Sequence, residues 1–227
     1  MATITNRHYL NQFALRLLSS TIKSGKVDIS SSSSVFAKVD GLIALLVDML
    51  DSSRHSEECC LVFRLFHRLV KQPDFANLRD RKLFKILVEK YFAILKSHCR
   101  GTSSKSNADL VAAAFKAVTT LIDSAYGECL SDAHLTVLLG YAEEDLYNTD
   151  RQATAFPLLQ ALLKRKNICE EMEHVGRKVL KLAVQADSEA GRNAARNYFV
   201  NFLLEVQHFY LHVQISDSTW FFISDNT

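Results

Sequence analysis

The chain of 227 residues carries 27 Lys and Arg against 25 Asp and Glu, which gives a formal net charge of +2 at pH 7. That balance neither requires nor excludes a nucleic-acid partner. With 48% hydrophobic and 23% charged residues, the composition is that of a soluble folded protein and argues against disorder over the whole chain. Two prolines and seven glycines are too few for a β-sandwich, which needs a turn about every 8–12 residues. We therefore expect long helices joined by short polar links.

No segment has the features of a signal peptide or a membrane helix. The longest apolar run, LIALLVDML at 42–50, contains Asp48 and is far shorter than the roughly 20 residues that a membrane helix needs. We expect no membrane partner. The cysteines form no CxxC pair and are expected to be small buried hydrophobic side chains in a reducing compartment. They are Cys59, Cys60, Cys99, Cys129 and Cys169.

Apolar residues at three- and four-residue steps predict four helices in the N-terminal part of the chain. Their approximate ranges are 6–24, 39–50, 56–72 and 79–98. Residues 24–36 contain five consecutive serines and are expected to form a flexible loop. The first helix has four large apolar residues on one face, which are Leu10, Phe13, Leu17 and Leu18.

The same spacing predicts five further helices, at about 109–126, 131–144, from 149, at 170–186, and from 188. Thr149 and Gln152 have the spacing of a capping box at the start of the seventh helix. The predicted buried face of that helix is Ala153, Phe156, Leu159 and Leu163. In the eighth helix it is Met172, Val175, Val179, Leu182 and Ala186, and in the ninth Ala195, Phe199, Phe202 and Val206.

The helix starts recur at regular intervals along the chain. The starts near 56, 109, 149 and 188 are 53, 40 and 39 residues apart, close to the roughly 40–47 residues of HEAT and armadillo helix pairs. Such pairs bury their apolar faces by stacking on their neighbours. Pro157, inside the seventh helix, is expected to bend it, as a curved stack requires. The predicted fold is therefore all-α, an α-solenoid over residues 1–206, with an ordinary helical bundle as the alternative.

Residues 207–227 depart from this pattern. They contain no Lys or Arg and include five aromatic residues, one of which is the only Trp of the chain. The segment could be an edge strand, a frayed tail, or sequence joined on by alternative splicing or a gene-model error, and we favour the last. We expect a divergent, irregular tail. Because Phe199, Phe202 and Leu203 then lack a following repeat, we also expect the C-terminal end to be prone to association.

No motif in the sequence assembles a catalytic, metal or cofactor site. There is no HExxH, no GxSxG, no Cys/His quartet with zinc spacing and no glycine-rich phosphate loop. His98 and Cys99 are neighbours, but adjacency at a helix end does not place a base against a thiol. Glu170 and His174 lie one helical turn apart and are expected to line a solvated face rather than to bind a cation. We therefore expect no enzyme activity, no cofactor and no small-molecule substrate.

Cations are concentrated in the C-terminal half of the predicted helical region. They lie at the end of the seventh helix and on the polar faces of the eighth and ninth, where a basic strip can contact RNA phosphates or an acidic partner. Helix capping and solubility are the alternative explanation. Glu173 and Arg177 are expected to form an exposed i,i+4 ion pair. The residues of this predicted strip are Lys164, Arg165, Lys166, Arg177, Lys178, Lys181, Arg192 and Arg196.

Two long segments carry a family resemblance. LLGYAEEDLYNTDRQATAFPLLQALLKRK at 138–166 and EEMEHVGRKVLKLAVQADSEAGRNAARNYFVNFLLEV at 170–206 resemble the C-terminal half of the small-subunit processome component 20 family, also called the down-regulated in metastasis family. FALRLLSSTIKSGK and ADLVAAAFKAVTTLI are similar to it too, so the likeness covers roughly residues 5–206. Members of the family are much longer, and 207–227 does not resemble their continuation. The resemblance suggests a fragment, a short isoform or a truncated gene product.

The resemblance implies a non-catalytic HEAT-repeat scaffold of the nucleolus. Such proteins associate with the box C/D snoRNP and support pre-rRNA processing for the small ribosomal subunit, so the implied partners are processome proteins, pre-rRNA and snoRNA. The family has no catalytic residues to transfer. The alternative is a helical-repeat adaptor in trafficking or signalling without an RNA role. A hydrolase with a cryptic site at His98 and Cys99 is the remaining alternative.

Overall fold

The computed structural model describes residues 2–25, 33–52, 55–72, 81–98, 105–165 and 170–216. Within these ranges the chain forms nine α-helices and one 3₁₀ helix, and no strand, so the all-α prediction is confirmed. The α-helices are α1 (Ala2–Lys23), α2 (Ser33–Ser52), α3 (Ser56–Val70), α4 (Arg81–His98), α5 (Lys105–Ile122), α6 (Asp132–Asp145), α7 (Gln152–Lys164), α8 (Glu170–Gln185) and α9 (Glu189–Ser216). The 3₁₀ helix is Ala125–Cys129.

The chain divides into two compact units, Met1–His134 and Leu135–Thr227. The first contains α1 to α5 and the 3₁₀ helix, and the second contains most of α6 and all of α7 to α9. No helix of the described part is both long enough and apolar enough to cross a membrane.

In the first unit, α1, α3 and α5 lie side by side in the same direction. His8 contacts Glu58, and further along Arg68 contacts Ser19, so α1 and α3 run in parallel about 50 residues apart in sequence. Cys60 contacts the carbonyl oxygen of Asp109, and His67 contacts Thr120. The helices α2 and α4 pack on each other and on this row. Alternate helices therefore form two layers, which is how helical repeats pack.

The helix α3 shows how local sequence sets up this arrangement. Its first turn carries Glu57 and Glu58 and its last turn carries His67 and Arg68, so both ends complement the helix dipole. Its apolar residues recur at three- and four-residue steps and are buried. They are Cys59, Val62, Phe63, Phe66, Leu69 and Val70, and they leave the opposite face to charged side chains.

Aromatic rings make up much of the core of the first unit. Phe84 stacks on Tyr126 with ring centroids 4.1 Å apart and planes at 10°. Phe63 meets Tyr91 edge to face at 5.2 Å. Both are favourable geometries for aromatic pairs. The 3₁₀ helix that contributes Tyr126 is started by Ser124, whose hydroxyl accepts a hydrogen bond from the Tyr126 amide.

In the second unit, α8 and α9 pack against each other in opposite directions. Gly176 faces Phe202, and Ala183, later in α8, meets Arg196, earlier in α9. A Cβ atom at Gly176 would lie 3.0 Å from the Phe202 ring, so the glycine permits a close approach of the two helices. All five residues predicted for the buried face of α8 are buried.

Several predicted boundaries need correction. The expected loop at 24–36 is too long, because α2 begins at Ser33, where serine suits the first turn of a helix. Residues 26–32 lie outside the described ranges. The predicted end of helical structure at 206 is wrong, since α9 continues to Ser216 through a stretch without proline or glycine, and 217–227 lie outside the described part. Where we expected the fifth helix to reach 126, α5 ends at Ile122 before the 3₁₀ helix.

The predicted capping box at the start of α7 is wrong. The residue before the helix is Arg151, which makes no side-chain cap, and Thr149 lies outside the helix. Gln152 is buried, and its amide donates to the carbonyl oxygen of Leu146 at 2.7 Å. A buried amide without a hydrogen bond would cost more free energy than the loss of a solvent-exposed helix cap, so the bond to Leu146 is favoured. The helix continues through the exposed Pro157.

The predicted apolar faces of three helices are partly wrong. On α1 the residues Leu10, Phe13, Leu17 and Leu18 are exposed, with Leu10 at 67% and Phe13 at 65%. The face that packs contains Gln12, Leu15, Ser19 and Ile22, because hydrogen bonds to α3 orient it. On α7, Ala153 is exposed and the other three residues are buried. On α9, Ala195 and Phe202 are buried as predicted and Phe199 is only half-buried, whereas Leu203, which was predicted to lack cover, is exposed. The side chain of Val206 lies outside the described part.

Candidate functional site

Two arginines of the predicted strip bind the C-terminal end of α8. Arg192 Nη1 donates to the carbonyl oxygens of Ala186 at 2.7 Å and Asp187 at 3.2 Å. Arg196 Nε donates to the carbonyl oxygen of Ala183 at 3.2 Å. These carbonyls include groups that a helix end leaves without a backbone partner, and the positive charges complement the helix dipole there. Both arginines therefore stabilise the α8–α9 pair.

Two further cations of the strip pair with carboxylates. Arg177 Nη2 lies 2.5 Å from Glu173 Oε1, in the predicted i,i+4 pair, which is confirmed. Lys178 Nζ contacts Glu143 Oε1 on α6, and His174 Nε2 lies 3.7 Å from the same oxygen. The hydrogen bond that Arg177 donates to Glu173 raises the pKa of Arg177, and the one that Lys178 donates to Glu143 raises the pKa of Lys178. The positive charges of Arg177 and Lys178 are therefore partly neutralised by the carboxylates that they contact.

The other residues of the strip lie at or near the surface. Lys164 and Lys181 are exposed and Arg165 is half-buried. Lys166 lies outside the described residues. Arg177, Lys178, Arg192 and Arg196 therefore have contacts within the protein that weaken their positive field.

A second group of cations, on the first unit, was not predicted. A cleft of about 750 Å³ on the outer side of α1 and α3 is lined by Arg16, Lys23, Arg64 and Arg68, with the hydroxyls of Ser19 and Ser20. Two carboxylates, Glu57 and Asp109, also line it. Lys71 and Lys116 extend the group along α3 and α5. We call the six cations Arg16, Lys23, Arg64, Arg68, Lys71 and Lys116 the α3 basic surface.

The packing register places three members of the α3 basic surface at one level. Two contacts between α1 and α3 join residues 49 or 50 apart, and those between α3 and α5 join residues 49 or 53 apart. The ion pair between Arg16 and Glu57 joins residues 41 apart and directs the Arg16 guanidinium toward the start of α3. Arg16, Arg64 and Lys116 are 48 and 52 residues apart. Their backbone positions therefore form a transverse row, roughly 16–20 Å long if neighbouring helices are 8–10 Å apart.

Two members of the α3 basic surface have defined contacts. Arg68 Nη1 donates to the carbonyl oxygen of Ser19 at 2.6 Å and contacts the Ser19 hydroxyl at 2.5 Å, which holds the guanidinium in the cleft. Arg16 Nη2 lies 2.7 Å from Glu57 Oε1, with both side chains more than half exposed. Exposed pairs of this kind contribute little, roughly 0–1 kcal/mol, and yield readily to a stronger anion.

The half-buried His67 lies close enough to the α3 basic surface for its pKa to be affected by these charges. Burial lowers the pKa of His67 to about 4, and the charges of Lys71, Lys116 and Arg68 contribute. Its Nδ1 lies 2.7 Å from Thr120 Oγ1, and that hydroxyl donates to the carbonyl oxygen of Lys116. The imidazole is therefore uncharged at neutral pH and ties α3 to α5.

A second cleft of the first unit, of about 510 Å³, lies between α1, α2 and α3. At one end His8 Nδ1 lies 2.6 Å from Glu58 Oε1, and the amide nitrogen of Gln12 donates to His8 Nε2 at 2.8 Å. The ring of His55 lies against His8, with centroids 4.1 Å apart. Both ring nitrogens of His8 are engaged, so the group acts as a tie between α1 and α3.

The structure describes only part of the residues that were considered as catalytic or cation-binding sites, namely the His98–Cys99 and Glu170–His174 pairs. Cys99, Cys169 and the side chains of His98 and Glu170 lie outside the described residues. Cys59 and Cys60 are buried as predicted, and burial raises the pKa of Cys59 to about 11 and raises that of Cys60. Neither thiol is a nucleophile at neutral pH. Cys129 is half-buried.

Within the part of the chain that the structure covers, no three His, Cys, Asp or Glu side chains are grouped so that they could hold a metal ion. No protein-family model matches the sequence.

Proposed function

We propose that this chain is a non-catalytic scaffold segment in ribosome biogenesis. In this proposal it is a HEAT-like α-solenoid segment of the nucleolus that holds processome proteins, pre-rRNA and snoRNA together through its outer faces. The observation that carries the proposal is the parallel row α1–α3–α5 with α2 and α4 as the second layer, which presents one face of each helix to solvent. The sequence resemblance supplies the cellular role.

The charge on these faces supports contact with RNA. Lysine and arginine on a helix surface attract phosphates without reading bases. The predicted strip contributes Lys164 and Lys181 as exposed cations, and the α3 basic surface contributes six more. Contacts of this kind suit a scaffold, which must hold RNA of many sequences.

The test is recovery of the chain from eukaryotic cells with its partners. We expect a tagged full chain to accumulate in the nucleolus and to co-purify with pre-rRNA, box C/D snoRNA and processome proteins. Because phosphate contacts weaken steeply with salt, the RNA bound directly should be lost between about 0.1 and 0.5 M salt. Untagged cells are the control for background RNA.

An adaptor without an RNA role is the second candidate, favoured by the exposed apolar residues Leu10, Phe13 and Leu17 of α1. It predicts cytoplasmic protein partners and no enriched rRNA precursor. Recovery of such partners alone would overturn the ribosome-biogenesis proposal.

A further inference from the structure

We infer that the α3 basic surface is the principal site at which this chain binds the phosphate backbone of RNA, and that the predicted strip on α7 to α9 is secondary. The inference deepens the proposed function and rests on it for the choice of RNA as the polyanion. Its basis is the row of Arg16, Arg64 and Lys116 across three parallel helices.

The first argument compares how the cations of the two groups are used. On the predicted strip, Arg192 and Arg196 donate to carbonyl oxygens of α8, and Lys178 pairs with Glu143. On the α3 basic surface, Arg64 and Lys116 are exposed, and Arg16 is held in an ion pair with Glu57 in which both side chains are more than half exposed. A phosphate that binds the strip must compete with these internal bonds. A phosphate that binds Arg64 and Lys116 on the α3 basic surface has few existing bonds to displace.

The second argument is that positive charge accumulates along α3. The charges of Lys71, Lys116 and Arg68 all oppose protonation of His67, which shows that they act on one place. Net positive potential in a cleft attracts polyanions and concentrates them. The two carboxylates of the cleft, Glu57 and Asp109, lie near the N-terminal ends of α3 and α5, away from Arg68 and Lys71.

The third argument concerns the class of partner. Protein interfaces usually have an apolar centre. In the described part no large exposed hydrophobic residue lies on α3 or α5, and those of α1, such as Phe13 and Leu17, are not among the residues that line the cleft. The cleft offers guanidinium groups and the hydroxyls of Ser19 and Ser20, which are groups that contact phosphates. A nucleic-acid backbone therefore fits the surface better than an acidic protein does.

The fourth argument concerns sequence preference. The side chains that line the cleft include no aromatic ring, and stacking on such rings is the usual way to hold single-stranded bases. We therefore expect oligonucleotides of equal length and different sequence to bind within about threefold of one another.

The experiment measures binding of a labelled 20-nucleotide single-stranded RNA to the full chain over a range of salt. The test variant combines R64Q, K71Q and K116Q, and leaves Arg68 in place because it bonds to Ser19. The matched control combines K164Q, R177Q and K181Q. Both variants lose three positive charges, so they have the same net charge and differ only in where the charge is lost.

We expect the test variant to bind RNA at least tenfold more weakly at 0.1 M salt. The slope of log affinity against log salt should fall by about 2, since each phosphate contact to a single strand contributes about 0.7. The control variant should change the affinity less than threefold. Circular dichroism of all three proteins shows whether the helices are retained.

Each other result overturns the inference in a recognisable way. If the control variant weakens binding as much as the test variant, the α3 basic surface is not the principal site, although RNA binding and the proposed function stand. If polyglutamate displaces the RNA at equal charge concentration, the surface is a docking site for acidic proteins. If the purified wild-type chain binds no RNA but co-purifies with processome proteins from cells, the inference fails and the scaffold role remains.

Discussion

Arginines of the two units have different partners, although both units are built from packed helix pairs. Arg192 and Arg196 lie where α8 ends, and they donate to its last carbonyl oxygens. Arg64 lies in the middle of α3, where every carbonyl oxygen already has a helical partner, and its side chain is exposed. Arg192 and Arg196 therefore stabilise the fold, as Arg68 of the first unit does through its bond to Ser19, whereas Arg64 remains at the surface.

Apolar residues show a similar contrast. On α8 the stripe of Met172, Val175 and Val179 is buried. On α1 the stripe of Leu10, Phe13 and Leu17 is exposed. The difference comes from the neighbouring helices, since α1 is held on α3 through polar bonds of His8 and other side chains. Hydrophobic spacing alone does not determine which face is covered.

The largest expected effect separates these two apolar environments. Phe202 is buried against Gly176 of α8, so F202A should remove about 3–4 kcal/mol from the free energy of unfolding. Phe13 on α1 is 65% exposed, so F13A should change it by less than about 0.5 kcal/mol. Urea unfolding followed by circular dichroism measures both. Equal losses from the two substitutions would show that the face of α1 is covered in solution.

The second prediction tests the contrast between the arginines. R192A removes charge-assisted hydrogen bonds to the carbonyl oxygens of Ala186 and Asp187, and should cost about 1–2 kcal/mol of unfolding free energy. R64A should cost less than about 0.5 kcal/mol, because Arg64 is exposed on α3. RNA binding should show the reverse order. A stability loss on R64A as large as that on R192A would mean that Arg64 also holds the fold together.

These contrasts show what the sequence could and could not predict. The α8 face was predicted correctly because one continuous amphipathic stripe specifies it. The α3 basic surface was missed because Arg16, Arg64 and Lys116 lie about 50 residues apart in sequence, and only helix packing brings them together. A usable signal did exist, since their intervals of 48 and 52 residues are close to the 50 and 53 residues that separate the predicted starts of the first, third and fifth helices. Cations at equivalent positions of successive helix pairs can therefore form one surface even though the sequence separates them widely.

The start of α7 provides the third prediction. Gln152 is buried and donates to the carbonyl oxygen of Leu146, so Q152A should leave that oxygen without its partner and cost about 1–2 kcal/mol. Thr149 is exposed and lies outside the helix, so T149A should be nearly neutral. A capping box would instead make T149A cost about 1 kcal/mol. Thermal or urea unfolding of the two variants distinguishes these arrangements.

The capping error has a general cause. The spacing of Thr149 and Gln152 fits a local motif, but the sequence does not show that a tertiary contact competes for the same side chain. In the folded unit, Gly191 of α9 lies so close to Gln152 that a Cβ atom added to the glycine would be 2.5 Å from Gln152 Oε1. The position of the buried Gln152 amide is thus set by tertiary contacts with a neighbouring helix rather than by a local capping motif.

The fourth prediction is a pH dependence confined to the first unit. His67 has a pKa of about 4 in the folded chain and about 6.5 when unfolded. As the pH falls from about 6.5 to 4, the unfolded state binds a proton that the folded state does not, so the free energy of unfolding decreases. We expect a loss of about 1–2 kcal/mol, since the ring is partly exposed and solvent screens the charges. The variant H67Q should lack this part of the pH dependence.

The same histidine also reports on the α3 basic surface. If Lys71 and Lys116 repel the charged imidazole, then K71Q and K116Q should each raise the pKa of His67 in an NMR titration of its ring protons. The control K164Q changes a lysine of the other unit and should leave that pKa unchanged. An unchanged pKa in K71Q and K116Q would mean that burial alone keeps the ring uncharged. The charges along α3 would then be too well screened to attract a phosphate backbone to this face.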